Sequence, residues 1–246
     1  MKMKEFLDLL NESRLTVTLT GAGISTPSGI PDFRGPNGIY KKYSQNVFDI
    51  DFFYSHPEEF YRFAKEGIFP MLQAKPNLAH VLLAKLEEKG LIEAVITQNI
   101  DRLHQRAGSK KVIELHGNVE EYYCVRCEKK YTVEDVIKKL ESSDVPLCDD
   151  CNSLIRPNIV FFGENLPQDA LREAIGLSSR ASLMIVLGSS LVVYPAAELP
   201  LITVRSGGKL VIVNLGETPF DDIATLKYNM DVVEFARRVM EEGGIS

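Results

Sequence analysis

Cys124, Cys127, Cys148 and Cys151 are the four cysteines of the chain, arranged as Cys-x2-Cys, twenty residues, then Cys-x2-Cys. Each pair can bring two thiolates to one ion, and two pairs complete the tetrahedron that zinc takes in structural sites. Four protein ligands leave no position open for water or substrate, so one such zinc per chain holds a fold together rather than performing chemistry. The competing reading is two disulfides, which needs an oxidising compartment. Glu5 and Asp8 interrupt any apolar signal region behind the first lysines, which favours zinc and a cytoplasmic location. A segment of roughly Val119 to Pro157 is too small to bury its own core, so its folding would depend on the metal.

A second set of polar residues falls at the ends of apolar runs. These are Gly21 to Ser25, Gln98 to Asp101, His116-Gly117, Gly188-Ser189-Ser190 and Asn214. Gly21-Ala22-Gly23 could form the tight turn that lets a backbone approach a pyrophosphate, but Thr26 stands where the third glycine of G-x-G-x-x-G is due. The same residues could simply turn a strand into a helix. Asn214 could hydrogen-bond ribose hydroxyls, or serve only as a turn former. Of four histidines, His56 flanks a helix at Pro57 and His80 falls inside one. His104, three residues after Asp101, would share a helical face with it. His116 alone sits at a strand end before a glycine, which makes it the first candidate for acid–base work, with His104 second. Asp101 and Asn99 could also be ordinary helix-terminal residues.

The elements that must position these groups are legible as patterns. Phe6 to Leu10 is part of an amphipathic helix, Pro57 to Phe69 is helical, and Asn77 caps a helix running through Lys89 to Gly90. Val232 to Met240 closes the chain as another amphipathic helix. Leu15 to Thr20, Glu93 to Thr97, Val112 to Leu115, Leu183 to Leu187 and Leu210 to Val213 read as strands. Continuous apolar strands separated by helical stretches predict a parallel sheet covered on both faces. In such α/β folds ligands bind beyond the carboxyl ends of the strands, where the polar clusters lie.

Taken together and in order, Gly21-Ala22-Gly23-Ile24-Ser25, Gly29-Ile30-Pro31-Asp32-Phe33-Arg34, Thr97-Gln98-Asn99-Ile100-Asp101, His116-Gly117, the two cysteine hooks and Gly188-Ser189-Ser190 resemble the sirtuin family, the NAD-dependent protein lysine deacylases. The resemblance runs from about Phe6 to Ala236. It implies a Rossmann-like NAD-binding domain from residues 1–34, 76–118 and 158–246. It also implies a small domain made of a helical insertion, residues 35–75, and the zinc module, residues 119–157. NAD and an acyl-lysine peptide would enter the cleft between them from opposite sides. The implied reaction removes an acetyl group from lysine and releases nicotinamide and O-acetyl-ADP-ribose. His116 would be the general base on a ribose hydroxyl, Asn99 would orient the ribose and a water, and Asp101 with Ile100 would hold the nicotinamide carboxamide. Phe33 would shield the ribose after nicotinamide departs, and Arg34 would meet the phosphates. Gly21, Ala22, Gly23, Thr26, Asp32, Gln98, Gly188, Ser189, Ser190, Asn214 and Leu215 match cofactor positions, with Asp231 near the adenine. Val160, Phe161, Phe162, Gly163 and Glu164, facing Val192 and Val193, would sandwich the peptide as an added strand. Relatives that remove succinyl groups carry a Tyr-x-x-Arg pair where Ala64 and Gly67 stand here, so acetyl-lysine is expected to be preferred over succinyl-lysine. The same NAD cleavage could instead serve mono-ADP-ribosyl transfer, and a non-catalytic NAD-sensing module is a third reading.

Composition narrows the partners. The chain has 246 residues, 45% apolar and 25% charged, with a net charge of −6 and a pI near 5.4. This is ordinary globular composition, which excludes a disordered chain. No apolar run approaches the length of a membrane span, so no membrane partner is expected. The acidic balance argues against nucleic-acid binding. The expected partners are acetylated proteins or peptides, with nicotinamide as product and inhibitor.

Overall fold

The computed structural model describes residues 2–32 and 38–245. Phe33 and Arg34 lie outside the described residues. A parallel sheet of six strands has the order β3-β2-β1-β7-β8-β9. Its members are β1 (Thr16–Thr20), β2 (Ala94–Thr97), β3 (Val112–Glu114), β7 (Leu183–Leu187), β8 (Lys209–Val213) and β9 (Leu226–Tyr228). The five apolar runs are five of these strands. The sixth, β9, is a three-residue edge strand that periodicity did not reveal.

Helices cover both faces, which is why the strands are apolar on both sides. On one face lie α1 (Lys2–Glu12), α4 (Leu78–Glu88) and α9 (Val232–Gly243), packed on Val95, Ile185, Leu187, Val211 and Val213. Helix α1 buries Met3, Phe6 and Leu10, one stripe at helical spacing, and Phe6 meets Phe235 of α9 edge-on at 5.1 Å. Asn77 caps α4 by accepting from the Ala79 N–H at 2.9 Å. His80 reaches back to the Asn77 N–H, so a histidine fills the role usually taken by Glu or Gln in a capping box. On the other face α7 (Gln168–Arg180) and α8 (Leu199–Arg205) pack on Val17, Leu19, Met184, Val186 and Ile212.

The second half of the molecule has a different construction. Strands β4 (Gly117–Cys124), β5 (Lys130–Thr132) and β6 (Ile155–Ile159) form a small antiparallel sheet in the order β5-β4-β6, with α6 (Val133–Lys139) beside it. It shares one aromatic core with the insertion, where α2 (Ile50–Ser55) and α3 (Pro57–Phe63) bring Phe53, Phe60, Tyr61 and Phe63 against Tyr122, Ile155 and Phe161. The Tyr61 hydroxyl donates to the Ile155 carbonyl across that boundary. The single helix expected over Pro57 to Phe69 is interrupted. It changes to a π turn at Ala64–Ile68 and a 3-10 turn at Phe69–Gln73. Pro70 lacks the N–H that a continuing α-helix requires.

A charged joint ties the halves together. Arg102, at the start of α5 (Leu103–Ala107), adopts a left-handed backbone with φ 58°. It donates to Glu114 at the end of β3 and to Glu120 and Glu121 of β4. Arg106 donates to Glu120 and to the carbonyls of Leu72 and Ala74. Among the described residues no helix is long and apolar enough to cross a membrane.

Candidate functional site

Strand β1 begins one half of the large sheet, and the order runs from it to β2 and β3 on one side and to β7, β8 and β9 on the other. The crevice at the carboxyl ends of β1 and β7 is therefore a topological switch point. Gly21 to Gly23 and Gly188 meet there. The Gly23 N–H donates to the Gly188 carbonyl at 2.8 Å. A Cβ on Gly23 would sit 2.9 Å from the Gly188 Cα, and one on Gly188 would sit 2.3 Å from the Ile24 nitrogen. The glycines at these positions are thus required first by the approach of two turns to each other. The turn leads into two short 3-10 segments, Ala22–Ile24 and Thr26–Ser28, rather than the long helix of a dehydrogenase fingerprint.

A cavity of about 650 Å³ opens over these turns and under the second half. Its wall includes Gly21, Ala22, Gly23, Thr26, Asp32, Gln98, Asn99, Ile100, Asp101 and His116. It also includes Gly188, Ser189, Ser190, Asn214, Leu215 and Asp231, and, from the opposite side, Val160 to Glu164 with Val193. Val192 is 45% exposed and is not part of that wall. The sequence does not single out Tyr40, Phe48 and Met71, which supply apolar wall from the insertion. Their signal was an aromatic, apolar segment with no periodic pattern.

His116 is held from behind. Its Nδ1 lies 2.8 Å from the Gln98 carbonyl, which can only accept, so Nδ1 carries the proton and Nε2 is left basic. Burial pushes its pKa below the ordinary histidine value, partly offset by that hydrogen bond, and the ring is neutral near pH 7. Gly117 follows with φ 69°, and a Cβ there would collide with the Asn158 carbonyl at 1.9 Å. The glycine after the histidine is what lets the chain leave β3 and enter β4.

Asn99 and Asp101 share a buried polar network. Asn99 Nδ2 donates to Ser25 Oγ at 3.1 Å, and Ser25 donates to Asp101 Oδ2 at 2.6 Å. The other carboxylate oxygen of Asp101 accepts from the Leu103 N–H at 2.9 Å, capping α5. Burial raises the Asp101 pKa, against the pull of Ser25 and that N–H. Ser25 joins three polar side chains and was missed as a site residue, although it stands in the first polar cluster. His80 Nε2 lies 3.4 Å from the same hydroxyl.

The second histidine candidate is corrected. His104 is fully buried, lies 2.9 Å from Thr20 Oγ1 beneath the sheet ends, and is absent from the cavity wall. It does not share a helical face with Asp101, because the left-handed Arg102 separates Asp101 from α5. Three other candidates line the cavity with side chains already engaged. Asp231 caps α9 through the Val233 and Glu234 N–H groups, Asn214 Nδ2 donates to the Gly216 carbonyl, and Glu164 pairs with Arg156.

The four cysteines converge. Their sulfurs all lie within 4.8 Å of one another, with Cys124–Cys151 at 3.4 Å and Cys127–Cys148 at 3.5 Å. All four are free thiols, and a disulfide would need about 2.05 Å. Bonds of about 2.3 Å to a tetrahedral zinc place sulfurs roughly 3.8 Å apart, so the donor set fits a closed zinc site. The cluster stands on the end of β4, the turn between β4 and β5, and the segment before β6, outside the cavity wall.

Known proteins share this arrangement along the whole chain. The chain is 48% identical over 223 residues to the NAD-dependent protein deacetylase 1 of Pyrobaculum aerophilum, covering 91% of this chain and 87% of the relative. It is 48% identical over 237 residues to the NAD-dependent protein deacetylase of Sulfurisphaera tokodaii, covering 95% and 93%. A solved structure of Sir2 with a p53 peptide and NAD+ superposes with a TM-score of 0.96 at 98% identity over all of both chains. Another, with the inhibitor EX-527, 2′-O-acetyl-ADP-ribose and deacetylated p53 peptide, superposes at 0.92 with 94% identity, covering 99% of this chain and all of that one. With the Sir2 family profile matching residues 21–195, which span the glycine turns, His116 and the four cysteines, the chain belongs to the Sir2 family.

Proposed function

We propose that the chain is an NAD-dependent protein lysine deacetylase in which His116 is the general base. The carrying observation is the Nδ1 contact of His116 with the Gln98 carbonyl, which fixes the tautomer and leaves a neutral Nε2 on the cavity wall. NAD supplies the glycosidic bond whose cleavage releases nicotinamide and leaves a ribose carbon for the acetyl oxygen. The small turns at Gly21 to Gly23 and Gly188 leave room for its backbone-hugging phosphates at the switch point. The cavity volume is in the range of sites for ligands of this class.

The residues then divide the work. Asp101, buried and fixed by Ser25 and the Leu103 N–H, presents a carboxyl to the nicotinamide amide. Asn99, tied to Ser25, orients the ribose. His116 Nε2 takes a proton from a ribose hydroxyl as that oxygen attacks the acetyl-derived carbon, and water completes the release of lysine and O-acetyl-ADP-ribose. Phe162 and Gly163 on one side and Val193 on the other offer an extended peptide two walls to add to. A zinc held by Cys124, Cys127, Cys148 and Cys151 would keep the small sheet folded and take no part in a step.

Two measurements test the reading. Nicotinamide release should require acetylated peptide, whereas a transferase needs an unmodified acceptor and an NAD sensor releases none. His116→Ala should still bind NAD and peptide but lose deacetylation by about 10²-fold or more, the usual contribution of a general base. Full turnover by His116→Ala would overturn the assignment.

A further inference from the structure

Arg156 is the second residue of β6, with only 4% of its surface exposed. A guanidinium cannot be deprotonated there and must find partners. Most of its partners lie on one short segment; outside it, Nη1 stands 3.5 Å from the Tyr54 hydroxyl and the guanidinium carbon 5.5 Å from the centre of the Tyr123 ring. Nη1 and Nη2 donate to Oε1 and Oε2 of Glu164, each at 2.7 Å, a two-point fork. Nη2 also donates to the Ile159 carbonyl at 3.0 Å, and the guanidinium carbon stands 5.0 Å from the centre of the Phe161 ring. Glu164 passes the constraint on. Its Oε2 accepts from the Phe161 N–H at 2.9 Å while its own N–H donates to the Phe161 carbonyl at 3.1 Å. The turn from Phe161 to Glu164 is closed twice, once by backbone and once by side chain. At its tip Phe162 is 44% exposed and Gly163 takes φ 93°, both on the cavity wall.

We propose that Arg156 is a positioning residue for the protein substrate. Acting through Glu164, it holds the Phe161–Glu164 turn in the shape against which the substrate chain lies. This rests on the reading of that turn as one wall of the peptide cleft. It reassigns Glu164, whose carboxylate is committed to Arg156 and the Phe161 N–H and so shapes the wall without receiving substrate side chains. The turns that line the NAD side come from the ends of β1 and β7, which Arg156 does not touch. Its loss should therefore be felt by the peptide and not by NAD.

Steady-state kinetics with an acetylated peptide test this in Arg156→Lys, Arg156→Met and Glu164→Gln. Losing a charge-assisted fork should raise the peptide KM roughly tenfold in Arg156→Met and Glu164→Gln, with the NAD KM unchanged and kcat within about twofold. Arg156→Lys, which keeps the charge without the fork, should fall between. If Arg156→Met does not fold, Glu164→Gln carries the test, being nearly the same shape and still able to accept from Phe161. Unchanged peptide KM in Glu164→Gln, or a parallel rise in both KM values, overturns the proposal. Amide exchange separates the two layers. Peptide should slow exchange at residues 161–163 of the unsubstituted protein; no slowing overturns the cleft reading and the proposal with it. Slowing combined with an unchanged KM in the variants overturns the role of Arg156 alone.

Discussion

The two walls of the cavity are built on opposite principles. Below, the glycine turns of β1 and β7 touch backbone to backbone, and Ser25, Asn99 and Asp101 form a buried polar network. Above, the wall from the insertion is Tyr40, Phe48 and Met71, resting on an aromatic core stapled by thiols. The lower wall has little room to yield, and its polar side chains are held in place by one another, as a site for fixed chemistry requires. The upper wall is apolar, and it rests on packing that includes Cys124 and Cys148 of the four-thiol cluster.

Removing the metal should break that comparison most visibly. Cys124→Ser should forfeit zinc binding, which supplies about 10 kcal/mol or more in small zinc modules. Elemental analysis should find no zinc, and amide exchange should show β4 to β6 opening while the six-stranded sheet keeps its protection. Cooperative loss of both sheets would mean the halves are one folding unit.

Gly188→Ala attacks the lower wall. The added Cβ would lie 2.3 Å from the Ile24 nitrogen at a left-handed φ of 61°, against backbone that cannot rotate away. Overpacking and the left-handed penalty together should cost roughly 3 kcal/mol in thermal or urea unfolding. Gly29→Ala, at φ 86° with nothing within 4 Å, should cost only about 1 kcal/mol. Equal effects would show that the contact between turns is unimportant.

Acyl selectivity sharpens the upper wall. Ala64 is buried, a Cβ on Gly67 would strike the Phe63 ring at 2.5 Å, and neither lines the cavity. The neighbouring cations are engaged elsewhere, Arg62 with Glu59 and Lys65 with the Leu140 carbonyl. A succinyl carboxylate would be desolvated without a partner, so acetyl-lysine should exceed succinyl-lysine in kcat/KM by about 10²-fold or more on one peptide. Comparable turnover would place an unexpected cation against the acyl end.

The smallest effect concerns acid. Burial lowers the His80 pKa to about 4 and lowers that of His104 as well. Both stay neutral in the folded chain, while the unfolded chain takes up protons below pH 6.5. Stability should therefore fall as the pH drops below 6.5, by on the order of 2 kcal/mol at pH 5 from His80, and level off below about 4 for that residue. Asp101, raised by burial, works in the opposite direction as it protonates. Unfolding followed from pH 7 to 4.5 checks this, and His80→Asn should reduce the slope.

The large sheet was legible because Leu183 to Leu187 and its partners are buried on both faces and read as unbroken apolar runs. β9 escaped because three residues, one of them Lys227, carry no such signal. Strand β4 escaped because its burial follows no clean alternation and its pairing with β6 is irregular between Gly117 and Tyr122. The cysteine spacing stood for a tetrahedral cluster because ligand geometry is local. His116 ranked first from its place at a strand end. The burial of His104 depended on Thr20, far away in sequence, and on the backbone twist of Arg102, neither of which local spacing encodes.

The charged joint around Arg102 gives the molecule a temperature character of its own. Hydration of ions grows less favourable with heat, so the desolvation penalty of Arg102 and its three glutamates shrinks as the protein warms. The apolar contacts on either side gain no corresponding strength. On warming, the link between the halves becomes a larger share of what holds the cleft in register. In strong salt it weakens, since Arg102 keeps 27% of its side chain in contact with solvent.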